Sequence, residues 1–574
     1  MVDLTSPRRI ERVYALALLA VASARLLNLG FLDLQAWDEA LYAVRSVGIL
    51  HFGGVLDQTS FSIGGLYSSL PPPLYVWLTS VSFLIFGVSE FAVRFFSAVF
   101  GGLTLMVIYK MGKELHSPKV GFVAAMLFGL NPFVSFYAQQ GQFDTTLVFF
   151  LSLSVLYLIK YETHSRVHYA LLAGLAIGAA LMTKLFVGFG IPLAYFFWKV
   201  ATHDGKTSLW KPLLAILGVA LLISVPWHTY MTIVRGHGNP LFFLDASAIL
   251  ERSVAGIEGN VKPLEVFYYV NQFFVLFPLG VVWFIVGIYR AFSKREHTWL
   301  LLAMWFLVFF VVFTLMRTKL AVYLLPMFVP ASLFAAYSLA SVGNGFLSKR
   351  LTAICLASTG IAFAWASNQA WRNTTKSLVM ELIHAHIPPY SEIIVYLPFL
   401  VISCCVLLIT YAYYRRDDFT RLNMLLPSII LVAAFVTCFY TIAAVDQFEY
   451  RDGAHDLAEF VEEHQPATLL VAGFDRNPQL TFYLEGADIG WRDDIEVRRL
   501  IPPGERSQLR AWLSQQTKDL PGDAFVVVEK DKFIRYEWVT TEELIPLSFS
   551  VVFDSRRYAV FQKTPSTELA HLVK

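Results

Sequence analysis

Cysteine is nearly absent. The chain of 574 residues holds four, at 355, 404, 405 and 438, and all fall inside apolar stretches. That excludes a disulfide framework and any zinc-type spacing of thiols. Charge is scarce as well: Asp, Glu, Lys and Arg make up 15% of the residues, and the formal net charge is +2. The basic residues are spread among loops rather than gathered in a patch, so nothing favours a nucleic-acid partner. No small-residue cleavage site follows the first apolar run, so Arg8, Arg9 and Arg12 are read as heading an uncleaved first span. What the chain does have is apolar length. Hydrophobic residues make up 56% of it, and mean hydropathy is +0.56. Several stretches approach about twenty apolar residues, enough to cross roughly 30 Å of hydrocarbon. The class is a polytopic α-helical membrane protein.

Lys and Arg set the expected orientation. Arg8, Arg9 and Arg12 place the N-terminus in the cytoplasm, residues 12–30 cross outward, and the next basic loop, Lys110 to Lys119, is also cytoplasmic. Two apolar stretches, 72–88 and 90–109, lie between them. Only one can span, so the run opened by Pro71-Pro72-Pro73 is read as a surface-lying or re-entrant helix. Residues 31–89 become one long external loop with amphipathic surface helices, a length that marks a functional segment. Further spans are expected at 120–137, 143–161, 169–183, 185–200, 212–230, 264–289, 298–315, 320–341, 350–369, 393–413 and 424–444. That makes about thirteen by the charge rule. Residues 1–446 then form the membrane domain. Residues 447–574, where composition turns to alternating helix-like and strand-like pieces, form a small soluble α/β domain outside the membrane. This tail has no glycine-rich phosphate loop, and a scaffold or docking cap is the reading it favours.

The stretch from Gln35 to Arg45 stands out, because Asp38 and Glu39 follow Trp37 where the chain should leave the bilayer. A helix starting there puts Asp38, Tyr42 and Arg45 on one face, with Ala40, Val44 and Val47 opposite. That pattern predicts a helix on the membrane surface with its polar side toward a cavity. The same topology brings Asp144, Lys184, Arg235, His237, Asp245, Glu251, Arg252, Glu258, Lys262, Arg317 and Lys319 to the outer level. Ionisable groups at membrane depth are costly and so mark function; Arg317 and Lys319 also fit as interfacial snorkellers. Carboxylates and cations together at a membrane surface suit glycosyl transfer from a lipid phosphate. A carboxylate takes the acceptor's proton, and cations hold the leaving phosphate. A transporter would need its carboxylates near the midplane, on broken helices.

These residues resemble those of the GT-C glycosyltransferases of the protein-O-mannosyltransferase type, and within them the lipid A aminoarabinose transferase branch. The matching pieces are Asp38-Glu39 with Tyr42; Pro72-Pro73-Leu74-Tyr75 and Trp77; Phe86-Gly87, Glu90-Phe91 and Arg94; and Asp144. Thr183-Lys184, Pro226-Trp227, Arg252, Tyr268-Tyr269 and Lys319 with Tyr323-Leu324-Leu325-Pro326 follow in order. The resemblance implies a polyprenyl-phosphate sugar donor, an active site on the outer face, inversion at the sugar carbon, about thirteen spans and a soluble C-terminal domain. It departs at two points. That branch usually carries Arg two residues after the acidic pair, where this chain has Leu41, and a Glu-Lys pair before the prolines, where this chain has Ser69-Leu70. The reading taken is therefore the superfamily, and not that branch's donor and acceptor.

The expected site follows from both lines of reading. Asp38 is the general base, Glu39 positions the acceptor or a metal, and Asp144 orients the acceptor or stabilises the developing sugar cation. Lys184, Arg252, Lys319 and Arg45 are the candidates for the donor phosphate. Tyr42, Tyr75, Tyr268, Tyr269 and Tyr323 are the candidates for substrate contact. A divalent ion at Asp38 and Glu39 stays open, since two carboxylates do not define a site. The acceptor is a lipid, glycan or protein, and the location is the cytoplasmic (inner) membrane. A lipid or sugar-lipid transporter and a non-catalytic lipid-sugar binder remain as rivals.

Overall fold

The structure is a computed structural model that describes residues 7–27, 29–35, 38–59, 72–202, 210–235, 267–340, 348–370, 453–472, 478–484, 495–500, 524–529, 549–555 and 557–563, with a few single positions besides. The expected spans at 393–413 and 424–444 lie outside them, as do Arg252 and the loop around it. The chain divides into two compact units.

The first unit is helical. It holds α1 (Pro7–Ala24), the first two residues of α3 (Leu74–Phe86) and most of α4 (Glu90–Leu115). It continues through α5 (Pro118–Gly129), α6 (Pro132–Ala138), α7 (Phe143–His164), α8 (Val167–Leu181), α9 (Leu185–Gly188) and α10 (Gly190–Thr202). Then come α11 (Trp210–Val234), α12 (Tyr268–Leu276), α13 (Val281–Ser293), α14 (His297–Leu315), α15 (Leu325–Leu339) and α16 (Lys349–Ala370). Among the described residues five helices are long and apolar enough to cross a membrane, or up to seven if each bent pair counts once.

Two of the expected spans are not straight. Residues 120–137 are α5 and α6, meeting at 72°. Asn131 is extended there (ψ 123), because Pro132 disfavours a helical residue before it, and its side chain caps Val134 N. Residues 264–289 break by 110° between α12 and α13, where Phe277-Pro278-Leu279-Gly280 cannot continue a helix.

Packing relies on small residues, as expected where lipid offers no hydrophobic drive between helices. Gly174 and Gly178, four apart on α8, lie against α11: a Cβ on either would come within 2.6–2.8 Å of Ile216 O or Ile223. Gly121 of α5 packs on Tyr109 O of α4 at a similarly close approach. α15 sits at the centre of this unit, buried at every residue from Leu325 to Leu339.

The second unit joins the segment after α1 to the C-terminal residues. It contains α2 (Asp38–Phe52), the remainder of α3, α17 (Ala454–His464), α18 (Pro478–Tyr483) and five strands. These are β1 (Thr468–Ala472), β2 (Glu496–Leu500), β3 (Phe525–Glu529), β4 (Phe549–Asp554) and β5 (Tyr558–Lys563), in the order β2-β1-β3-β5-β4. β1 runs parallel to β2 and β3, and β5 is antiparallel to β3 and β4. Leu457 and Val461 of α17 cover Leu469, Val471, Phe525 and Val527, the same-face residues of β1 and β3.

Side-chain bonds fasten the early segment to this layer. Gln479 donates to Leu34 O at 2.7 Å and accepts from the Tyr558 hydroxyl at 2.8 Å. The Tyr483 hydroxyl accepts from Leu34 N at 2.9 Å and donates to Glu90 at 3.0 Å. The Asp33 carboxylate accepts from Gly453 N and Ala454 N, both at 3.0 Å, and so caps α17 from a distant part of the chain.

This architecture corrects the reading of α2 as a surface helix with a wet polar face. Glu39, Tyr42, Val44 and Arg45 are all buried, on both supposed faces. Ser46 donates to Val76 O and Ser80 donates to Ser46 O, binding α2 to α3. Ala40, Ala43 and Val47 pack with Phe482 and Tyr483. Hydrophobic periodicity within α2 could not register these partners, because they come from elsewhere in the chain.

Candidate functional site

Asp144 stands in the first turn of α7, where the exposed N–H groups and helix dipole favour a carboxylate. Lys184 precedes α9 in an extended conformation, its own N–H bonded to Ala180 O at 2.8 Å. The chain reversal after α8 brings its ammonium to 3.7 Å from the Asp144 carboxylate. The same ammonium lies over the rings of Phe143 (4.6 Å) and Tyr323 (5.1 Å). Both side chains are partly accessible, at 13% for Asp144 and 23% for Lys184. They line a narrow pocket with Tyr323, Phe313, Val187 and Pro326. A cation held by one carboxylate and two aromatic faces, at a pocket wall, is placed to meet an anionic group.

The other expected residues of this unit are engaged internally. The Lys319 ammonium donates to the carbonyls of Phe313 (3.1 Å), Thr314 (2.6 Å) and Met316. It therefore caps the C-terminal end of α14 and lies 5.4 Å from the Tyr269 ring centre. Tyr269 is fully buried and accepts from Leu320 N at 3.3 Å. Tyr75 is buried, its hydroxyl 3.1 Å from Ser97 Oγ. Tyr323 stacks on Phe313 at 4.7 Å. Tyr268 is half-buried at the start of α12. Arg252 lies outside the described residues.

The acidic pair belongs to the second unit, and its two members differ. Asp38 is exposed at the first residue of α2. Glu39 is fully buried, and its carboxylate accepts from Gln35 N at 2.8 Å, closing the turn into the helix. Arg45, also fully buried, donates to Gln58 Oε1 at 2.6 and 3.0 Å. Burial lowers its guanidinium to about 10, which still leaves it charged at neutral pH. The Tyr42 ring centre is 6.0 Å from that guanidinium. Among the described residues no three His, Cys, Asp or Glu converge to hold a metal. Glu39 is bonded to a backbone amide and Asp38 is exposed, and two carboxylates do not by themselves define an ion site.

Sequence reasoning missed two groups here. Ser97, fully buried, donates to Gln142 O at 2.9 Å, just ahead of Asp144. Arg25 is buried and donates to Gly129 O at 3.3 Å. A lone serine in an apolar helix carries no signal, but an arginine closing the first span did.

Residues 71–230 match the family model of dolichyl-phosphate-mannose-protein mannosyltransferases. An undecaprenyl phosphate-alpha-4-amino-4-deoxy-L-arabinose arabinosyl transferase of Pseudomonas fluorescens is 27% identical over 390 residues, 63% of this chain and 67% of the relative. A transferase of the same description from Pseudomonas savastanoi pv. phaseolicola is 31% identical over 222 residues, 37% of this chain and 40% of the relative. The crystal structure of ArnT from Cupriavidus metallidurans bound to undecaprenyl phosphate superposes with a TM-score of 0.70 at 20% identity, covering 96% of this chain and 98% of that one. The chain has the GT-C fold, and the family model and relatives that it matches, the protein mannosyltransferases and the aminoarabinose transferases, are membrane glycosyltransferases.

Proposed function

We propose that this chain is an inverting glycosyltransferase that moves a sugar from a polyprenyl-phosphate donor to an acceptor at the outer face of the cytoplasmic membrane. The observation that carries the reading is the contrast within the acidic pair: Asp38 is exposed and Glu39 is buried against a backbone amide. The exposed carboxylate can be reached by an acceptor, and the buried one shapes the turn that presents it. Asp38 removes the proton of the acceptor hydroxyl or amine as that atom attacks the anomeric carbon. The bond from that carbon to the phosphate oxygen breaks, the oxygen keeps the electron pair, and a single displacement inverts the centre. Lys184 neutralises the departing lipid phosphate, and Arg252 is the second cation that the sequence offers for that role. Asp144 keeps Lys184 in place and orients the acceptor. Lys319 and Arg45 serve as supports, since their donors are turned to carbonyls and to Gln58. Leu41 and Ser69-Leu70, where the aminoarabinose branch carries charge, favour a donor and acceptor other than that branch's.

The purified full-length chain, given polyprenyl-phosphate sugars and membrane-extracted acceptors, should release polyprenyl phosphate and glycosylate an acceptor. Asp38→Asn should stop transfer while donor binding persists. Full activity in Asp38→Asn removes Asp38 as the base. Movement of the donor across vesicles without any sugar transfer favours a transporter instead.

A further inference from the structure

Asp144 and Lys184 come from different elements, yet their charged atoms lie 3.7 Å apart. The N-terminus of α7 lacks the usual device for fixing it: Gln142, its N-cap residue, is extended (φ −126, ψ 154) and makes no side-chain capping bond. Its carbonyl is held from α4 instead, by the fully buried Ser97, whose Oγ donates at 2.9 Å. Tyr75 Oη is 3.1 Å from the same Oγ. A carbonyl can only accept, so the single Ser97 proton is committed to Gln142, and Tyr75 must be the donor to Ser97. One residue earlier, Leu74 N donates to Met182 O at 3.1 Å, two residues before Lys184. The first turn of α3 therefore reaches Asp144 through Ser97 and Gln142, and reaches Lys184 through Met182.

We propose that Ser97 is a positioning residue: it relays the Tyr75 hydroxyl to the Gln142 carbonyl and so keeps Asp144 in register with Lys184. The proposal rests on the transferase reading for its kinetic consequence and on the hydrogen bonds alone for its structural one. Hydroxyl chains of this kind strengthen cooperatively in a dry interior, and a small misplacement of a reacting group costs far more in turnover than in binding.

The test uses the full chain, with Ser97→Ala and Ser97→Thr made in wild type and in Asp144→Asn. Ser97→Ala should lower kcat about tenfold with donor KM within about twofold, and Ser97→Thr, which keeps the hydroxyl, should recover most of it. In the Asp144→Asn background Ser97→Ala should cost nothing further. Deuterium exchange over residues 142–147 should quicken in Ser97→Ala and stay unchanged over 132–138. Should threonine overpack the site, exchange and rate in Ser97→Ala decide without it. Three results each overturn the proposal: unchanged kcat in Ser97→Ala, equal loss in both backgrounds, or unchanged exchange over 142–147. A wild type inactive on every polyprenyl-phosphate sugar rejects the transferase reading instead, and exchange still decides the role of Ser97.

Discussion

Lys184 and Lys319 share a level in the expected topology and differ in what surrounds their ammonium groups. Lys319 spends its protons on carbonyls at the end of α14. Lys319→Met should therefore destabilise the chain by about 2–3 kcal/mol, the range for a buried charged hydrogen-bonding group, as a drop in melting temperature with donor KM preserved. Lys184 faces a pocket with one carboxylate and two rings. Lys184→Ala should weaken donor use by about 1.5 kcal/mol or more, with the melting temperature nearly unchanged; donor titrations check it. Asp38→Ala should cost about 10²–10⁴ in kcat without loss of fold, since the side chain is exposed. The sequence marks both lysines as cations at one expected level and could not separate them. A one-dimensional reading sees that a cation is present and not which carbonyls consume it.

At the scale of elements, most helices and strands were legible, because apolar period and length are local properties. The strand-like pieces of the C-terminal tail include Phe525–Glu529 and Tyr558–Lys563, and its helix-like pieces include α17. The environment of α2 was not legible, because Leu34 and Tyr483 are separated by 449 positions. That contact carries a pH signature. Burial first, then the charges of Glu90 and Asp33, raise the Tyr483 phenol above its usual range. The native state then holds this proton where the unfolded chain has lost it, so stability is complete below pH ~10 and falls as pH rises above that value. Alkaline unfolding of the second unit should show this step, and Tyr483→Phe should remove it while costing about 1–3 kcal/mol at neutral pH. Gly178→Leu tests α8 in the same spirit. With a Cβ already at 2.8 Å from Ile223, it should lower the melting temperature sharply while Gly218→Leu, which has open space, does not.

At the scale of the whole molecule, the charge rule makes a prediction that none of the packing decides. Single cysteines at Val88 and in β4, in a chain with its native cysteines replaced, should react with an impermeant reagent from outside the cell; cytoplasmic labelling at either would overturn the orientation. The second unit, drawn from both ends of the chain, also has a consequence in time. The segment that ends in α2 leaves the ribosome long before α18 exists, with 449 positions between the two partners Leu34 and Tyr483. At roughly 5–20 residues per second, the interval is about 20–90 s. Through that wait Leu34 and the apolar residues Ala40, Ala43 and Val47 of α2 lack Phe482 and Tyr483 of α18 to pack against. The nascent chain is therefore a client for whatever holds unfinished segments at the membrane, and synthesis rate becomes a determinant of yield. Slowing translation after residue 93 should lengthen exposure of α2 to protease, and a co-supplied 445–574 fragment should shorten it.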